Sequence, residues 1–324
     1  MAVALVGPTA SGKSAIALAV ARSARSRGTD VELVSVDSMA VYRGMDLGTA
    51  KPTPEVRAEV PYHLVDLVDP GEEYTVTRFQ HDARQALAGI GSRGHRALLV
   101  GGTGLYLRSV TDDLAFPGRY PEVAAELVAG LEASGPAGTP ERLVGCQALH
   151  TRLVELDPVA ASRIESGNER RLVRALEVTL GSGRTFSSFG PGLERYPESR
   201  VTLVGLRRDP EVVDRRIGER FVRLMDDGFL DEVRTLASRP EGLSRTARQA
   251  LGYRELLSHV EDGVPLDDAV GEAVRRTRAF ARRQRAWFRR DPRIEWLDTD
   301  ADGEDHAVAV VLARLDSYAT GSNG

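Results

Sequence analysis

Cysteine, lysine and long apolar runs are what this 324-residue chain has least of. A single cysteine, Cys146, excludes an internal disulfide framework and fits a reducing, cytoplasmic setting. It falls in a weak helical pattern with no cluster of His or Asp nearby, so it reads as a packing residue. No apolar stretch approaches the ~18 residues that a spanning helix needs, so no membrane association is expected. The amino end, Met1 to Val6, has no basic start and runs straight into a glycine loop; it is expected to be a first strand and not a signal peptide. Lysine is the scarcest charge. Only two of the 43 basic residues are lysines, Lys13 and Lys51, and the other 41 are arginines. A chain so biased that still places a lysine at position 13 needs a compact ammonium there and not a planar fork.

What is present is an ordinary enzyme composition, 42% hydrophobic and 28% charged with a net charge of -4. Through the first hundred residues, β-rich runs (2–6, 31–35, 62–68, 96–100) alternate with helical patterns (15–26, 76–88). That alternation predicts an α/β fold with a parallel sheet covered by helices on both faces. From about Asp112 to Arg200 no strand is convincing, only short helical pieces. Strands return at 201–206 and 293–297, with long helical patterns between them and a last helix over 305–318. The expected organisation is therefore a discontinuous P-loop NTPase-like core, residues 1–111 and 201–318. An all-helical insert, 112–200, interrupts it, and 320–324 form a frayed tail.

Residues Gly7, Pro8, Thr9, Ala10, Ser11, Gly12, Lys13 and Ser14 match the phosphate-loop pattern GxxxxGK[ST], placed between a buried strand and a helix. Such a loop turns its backbone N–H groups into an anion nest at a helix N-terminus. Lys13 adds a point charge, and the Ser14 hydroxyl suits a magnesium ion. The pattern implies a di- or triphosphate and says nothing of what is attached to it. Asp37, just past the second strand, projects into the crevice at the carboxyl edge of the sheet, where it suits a general base or a second magnesium ligand. The strand ending at Val100 runs into Gly101, Gly102 and Thr103 with no acid for a metal, which counts against an ATPase motor and suits close contact with a nucleobase or sugar. The window 275–293 holds nine arginines and one acid. Arg275, Arg278, Arg282, Arg285 and Arg289 fall on one helical face, with Phe280 and Trp287 expected to pack inward opposite. With so few acids interleaved, that stripe points to an extended polyanion, and a second basic knot lies at 168–174.

Taken together, GPTASGKS, VSVDSMAVYRGMDLGTAKP, LLVGGTGLY, NERRLVRALEV and RRTRAFARRQRAWFR resemble the tRNA dimethylallyltransferase family, in order, over about residues 3 to 297. The stretch 37–52 is far more specific than the phosphate loop. The resemblance implies transfer of a dimethylallyl group from its diphosphate to the exocyclic amine of an adenosine beside the tRNA anticodon, and it implies that the loop holds an isoprenoid diphosphate and not ATP. It implies Asp37, Ser14 and Arg220 as the catalytic set, with Asp37 as the base and Arg220 steadying the departing diphosphate. Along with Asp37, it implies RNA contacts at Ser38, Met39, Ala40, Thr103, Arg170, Arg171, Arg174, Arg248, Tyr253, Arg278, Arg282, Arg283 and Arg285. Ala124 departs from the family's arginine and is left out, and extra residues at 24–30 lengthen the first crossover only. Partners are expected to be the anticodon stem-loop and the isoprenoid diphosphate, with the protein a monomer. Two other readings stay open at this point: a P-loop nucleoside or small-molecule kinase, which leaves the basic helix unexplained, and a non-catalytic RNA-binding protein that keeps the loop as a sensor.

Overall fold

The computed structural model describes residues 2–190 and 192–317; the end of the expected last helix and the expected tail lie outside them. The chain divides into two compact units, residues 1–113 with 198–324 and residues 114–197. In the first unit the chain order begins β1 (Ala2–Val6), α1 (Lys13–Ser26), β2 (Val31–Val36), α2 (Pro54–Glu59), β3 (Tyr62–His63), α3 (Val76–Ser92), β4 (Arg96–Gly101) and α4 (Gly104–Thr111). The second unit contributes α5 (Pro121–Ser134), α6 (Pro140–Leu156), α7 (Pro158–Ala161) and α8 (Glu169–Ser182). The first unit resumes with β5 (Val201–Arg207), α9 (Pro210–Asp226), α10 (Phe229–Ala237), α11 (Tyr253–Asp262), α12 (Leu266–Phe288), β6 (Ile294–Asp298) and α13 (Glu304–Ser317).

All six strands pair in parallel, in the order β3-β2-β4-β1-β5-β6. Every residue of β1 is buried, because helices cover both faces of a parallel sheet. Alternate residues feed the two sides: Ala4, Val34 and Leu99 join one core under α3, α4 and α9 to α12, while Leu5, Leu33 and Leu98 join the other under α1 and α13. The register sets Val6 and Val36 both opposite Gly101, so β1, β2 and β4 end level. The residues that follow them share one edge of the sheet.

The expected strand over 62–68 is corrected. Only Tyr62 and His63 join the ladder, and Val68 makes a lone bridge to Tyr42. Leu64 and Asp66 adopt φ of 62° and 56°, which bends the chain away from the sheet where the apolar pattern alone suggested continuation. The helical unit has its own core, in which Cys146 packs with Leu127, Leu131, Leu153 and Leu172. Its helices start by rule. Thr139 and Asp157 cap α6 and α7 just before a proline, with side-chain oxygens accepting from Arg142 N (3.3 Å) and Ala160 N (3.0 Å).

Candidate active site

The loop after β1 is shaped by close packing. Gly7 sits at φ 152°, and a Cβ there would come 3.0 Å from the Leu206 carbonyl oxygen. Gly12, at φ 97°, is the N-cap of α1, whose first N–H groups open toward the loop. Between them Ala10 takes a left-handed φ of 62° and Ser11 is wholly buried. Lys13 folds back over this nest and donates from Nζ to the Pro8 carbonyl oxygen (2.6 Å). Burial pushes its pKa down to about 8, against the pull of the Asp37 charge and with help from the Arg220 charge. Ser14 is exposed at the mouth.

Asp37 stands one residue past β2. Its Oδ1 accepts from Met39 N at 2.8 Å, which fixes the carboxylate in a tight turn. Among the described residues Oδ2 has no hydrogen-bond partner. Arg220 reaches in from α9, donating from Nη2 to the Gly48 carbonyl oxygen (2.9 Å); burial lowers its pKa while Asp37 opposes the shift. Lys13, Arg220 and Asp37, each partly buried, therefore lie close enough for the carboxylate's charge to act on both cations. Buried Tyr106 belongs to the same wall, its hydroxyl pKa raised by burial and then by the charges of Tyr42 and Asp37.

The stretch after Asp37 is clamped from below. Glu232 of α10 accepts from Asp46 N (3.1 Å) and Leu47 N (2.9 Å), and its other oxygen accepts from the Tyr253 hydroxyl at 2.6 Å. Tyr253 is fully buried under Gly48, where a Cβ would strike its ring at 2.3 Å. The resemblance implies RNA contacts at Tyr253 and Ala40; in the structure both side chains lie in the interior, Ala40 at 5% exposure. Ser38 N donates to Thr103 Oγ1 (3.3 Å), which ties the ends of β2 and β4 together.

The glycines of 101–104 also differ from expectation. They leave room for the protein's own parts and not for a nucleobase: a Cβ at Gly101 would meet the Val36 carbonyl oxygen at 2.1 Å, at Gly102 the Gln284 amide at 2.3 Å, and at Gly104 the Trp287 indole at 2.0 Å. Gln284 lies within the arginine-rich stretch, but its link to the phosphate loop was not visible in the motifs. Nearly buried on α12, it accepts from Thr9 N (2.8 Å) and donates to the Gly102 carbonyl oxygen (2.9 Å), which latches the phosphate loop to the β4 turn. Its sequence signal is a long polar side chain on a helix stripe that is otherwise small or apolar.

That stripe is Ala273, Thr277, Ala281, Gln284 and Phe288. Phe280, expected to pack inward, is instead half-buried beneath the Arg283 guanidinium (5.7 Å), while Trp287 packs partly against the core. The arginine face is present but less bare than its sequence suggests, because neighbouring elements supply partners. Arg278 donates to the Asp214 carbonyl oxygen (3.0 Å) and Arg282 lies 3.9 Å from the Asp214 carboxylate. Arg248 pairs with Glu261 on the surface. In the helical unit, Arg170 and Arg171 are exposed on the first turn of α8, whereas Arg174 is committed to Glu177 and the Pro117 carbonyl oxygen (both 2.8 Å).

Among known proteins, the family model described as IPP transferase matches residues 40–291. The chain is 47% identical over 304 residues to the tRNA dimethylallyltransferase of Kineococcus radiotolerans, covering 94% of this chain and 92% of that one. To the protein of that name from Bifidobacterium animalis subsp. lactis it is 42% identical over 310 residues, covering 95% and 86%. The fold is similar to the full-length tRNA isopentenylpyrophosphate transferase of Bacillus halodurans, with a TM-score of 0.65, 32% identity and 98% of each chain covered. A eukaryotic dimethylallyltransferase crystallised acting on tRNA shares the fold at a TM-score of 0.74 and 23% identity, with 98% of this chain and 79% of that one covered.

Proposed function

The chain belongs to the tRNA dimethylallyltransferase (IPP transferase) family, and we propose that it moves the dimethylallyl group of dimethylallyl diphosphate onto the exocyclic amine of the adenosine beside the anticodon. One observation carries this reading: the charges of Lys13 and Arg220 lie within electrostatic reach of the Asp37 carboxylate at the end of the sheet. Positive charge stands where a diphosphate departs, and a base stands where an amine must lose a proton.

In the step, the bond between the allylic carbon and the diphosphate oxygen breaks as the bond from the amine nitrogen to that carbon forms. The amine proton passes to Asp37 Oδ2, and diphosphate leaves with the electron pair of the broken bond. Loop N–H groups, Lys13 and Arg220 stabilise the charge developing on the leaving group, which is favoured because these dipoles and charges are already oriented in a water-poor site. The adenine amine is a weak nucleophile, and proton removal by Asp37 contributes about 10²–10⁴-fold. Lys13 exchanges its contact with the Pro8 carbonyl oxygen for the diphosphate. The extruded base costs a few kcal/mol to unstack, which the arginine surface offsets.

Magnesium fits the donors at the loop. Ser14 offers one hydroxyl and Asp37 one carboxylate, and among the described residues no group of three His, Cys, Asp or Glu forms a cage of its own. That is the pattern of an ion that completes its shell with substrate phosphates and water. When bound, it would neutralise diphosphate charge. Among the described residues no helix is long and apolar enough to cross a membrane; the cytoplasmic placement rests on tRNA being the substrate, and we propose that the enzyme acts as a monomer. The kinase and the non-catalytic readings are separated from this one by a single assay. The protein is incubated with unmodified tRNA, magnesium and either dimethylallyl diphosphate or ATP, and the tRNA nucleosides are weighed. A gain of one five-carbon unit on adenosine with the allylic donor supports the reading; phosphate transfer from ATP, or binding without product, overturns it.

A further inference from the structure

Arg220 rests on an unusual partner for an arginine of this chain. It is partly buried on α9, and among the described residues its one hydrogen bond runs from Nη2 to the Gly48 carbonyl oxygen (2.9 Å), with no carboxylate paired to it. A carbonyl takes one N–H and cancels no charge, so the rest of the fork stays available to an anion. What the guanidinium can reach then depends on where that carbonyl stands.

The carbonyl belongs to the turn Asp46 to Gly48, and Glu232 of α10 gathers that turn. Its Oε2 accepts from Asp46 N (3.1 Å) and Leu47 N (2.9 Å), and its Oε1 accepts from the Tyr253 hydroxyl (2.6 Å). The hydroxyl keeps its proton: burial first and then Glu232 raise its pKa, and a hydrogen bond from the Gly48 backbone only partly opposes them. Three consecutive backbone positions are thereby drawn onto one carboxylate–phenol pair. The turn also lies on aromatic rings. A Cβ at Gly48 would meet the Tyr253 ring at 2.3 Å and the Phe229 ring at 2.6 Å, and those rings pack edge to face with centroids 4.9 Å apart. Every group aimed at Glu232 is a donor, so only a side chain with two accepting oxygens satisfies all three.

We propose that Glu232 is a positioning residue for Arg220: through the Asp46–Gly48 turn it sets the carbonyl that aims the guanidinium at the diphosphate, without touching the ligand itself. This deepens the functional reading above and rests on it for Arg220 as the cation that meets the leaving group. Glu232 takes up and releases no proton in the step.

The test is a double-mutant cycle on the full chain, since two residues that act through one another lose less together than the sum of their separate losses. Glu232→Gln keeps the shape of the side chain but has one acceptor oxygen, so at least one of the three donors is stranded. Inorganic diphosphate is titrated calorimetrically, with magnesium, into the unaltered chain, Glu232→Gln, Arg220→Ala and the double variant. The loop N–H groups and Lys13 keep binding measurable without Arg220. The diphosphate Kd should rise about tenfold on Glu232→Gln while Arg220 is present, and less than about twofold once Arg220 is alanine. Tyr253→Phe, which takes the hydroxyl from Glu232 Oε1, should give a smaller rise with the same dependence on Arg220, and it carries the cycle if Glu232→Gln does not fold. Equal rises in both backgrounds would make Glu232 a support of the loop as a whole, and no rise in either would remove it from the site; each overturns the proposal. On unmodified tRNA the same change should lower kcat with the KM for tRNA unchanged. Diphosphate binding needs no turnover, so coupling without any five-carbon gain on adenosine would overturn the function and leave the positioning role standing. Prenylation with additive losses would do the reverse.

Discussion

Raising the pH from 7 to 9 should weaken binding of an allylic diphosphate about tenfold, and Lys13 sets that figure. In the free protein its pKa is about 8, held down chiefly by burial. Roughly nine molecules in ten then carry the charge at pH 7 and one in ten at pH 9. A bound dianion favours the charged form and pulls the pKa back up, so above pH 8 binding must take up a proton, and each further unit costs a factor approaching ten. The ligand for the assay is the thiolo analogue of dimethylallyl diphosphate, which does not turn over and whose terminal phosphate is ionised throughout this range. Calorimetry in two buffers of different protonation enthalpy counts the protons: close to one per ligand at pH 9, about a tenth of one at pH 7. Lys13→Arg supplies a charge that does not titrate and should abolish both the slope and the uptake. Stability runs the other way. The folded pKa lies below the ordinary 10.5, so between them the unfolded chain holds the proton more tightly, and the ligand-free protein gains stability as pH rises through this window. An affinity constant from pH 7 to 9, or a slope that persists in Lys13→Arg, refutes the argument.

Asp37→Asn should lower turnover by about 10²–10⁴ while tRNA affinity stays within a few-fold, since the variant removes a base and no RNA anchor; equal collapse of both removes Asp37 from the chemistry. Gln284→Ala leaves Thr9 N and the Gly102 carbonyl oxygen without partners, and should raise the KM for the allylic donor about tenfold with the KM for tRNA unchanged. Equal rises would make Gln284 merely structural. Glu32, whose pKa the Arg93 fork first and then His63 and His95 hold down to about 2, contributes stability that is present above the usual carboxylate range and lost as pH falls toward 2. Glu32→Gln should therefore cost roughly 2–3 kcal/mol by urea unfolding at pH 7 and about half as much at pH 3. Gly101→Ala should leave little folded protein because its Cβ strikes the Val36 backbone, whereas Gly91→Ala in α3 meets nothing within 4 Å and should be neutral or stabilising by about 0.5–1 kcal/mol, read from melting curves.

What the sequence made legible was local. Strand–helix alternation over the first hundred residues and the phosphate loop both follow from neighbours in the chain, because glycine torsions and helix caps are set within a few residues. Sheet order was not legible. β5 lies beside β1 although some 200 residues separate them, a pairing set by tertiary packing alone. The same limit hid the site's supports. Gln284 and Thr9 stand 275 positions apart, Glu232 and Leu47 185, and no spacing rule links them. Helical periodicity gave the arginine face of α12 its direction but not its surroundings, so Asp214 of α9 and Glu255 of α11, which quench much of that charge, went unseen. In Gly101 to Gly104, too, missing side chains were visible while the backbone and indole filling the space were not.

The two lysines turn out to answer one physical demand twice. Lys51 is buried, its side chain 1% exposed, and its three donors are spent on the Tyr42 carbonyl oxygen, Asp46 Oδ1 (2.8 Å) and Asp66 Oδ1 (2.6 Å). Those acceptors surround a point from different directions, which a tetrahedral ammonium satisfies and a flat guanidinium does not. The chain between Tyr42 and Asp66 is thereby drawn around one charge, while Glu232 and Arg220 hold its far bend at Leu47 and Gly48. Asp37 sits at the root of this clamped loop. A base must keep its aim while the ammonium of Lys13 beside it swings from its own backbone to a substrate, and a loop pinned at three points is what keeps that motion from reaching the carboxylate. Several residues of the long motif from Asp37 to Pro52 thus have a mechanical role, since their side chains and backbone hold this loop in place.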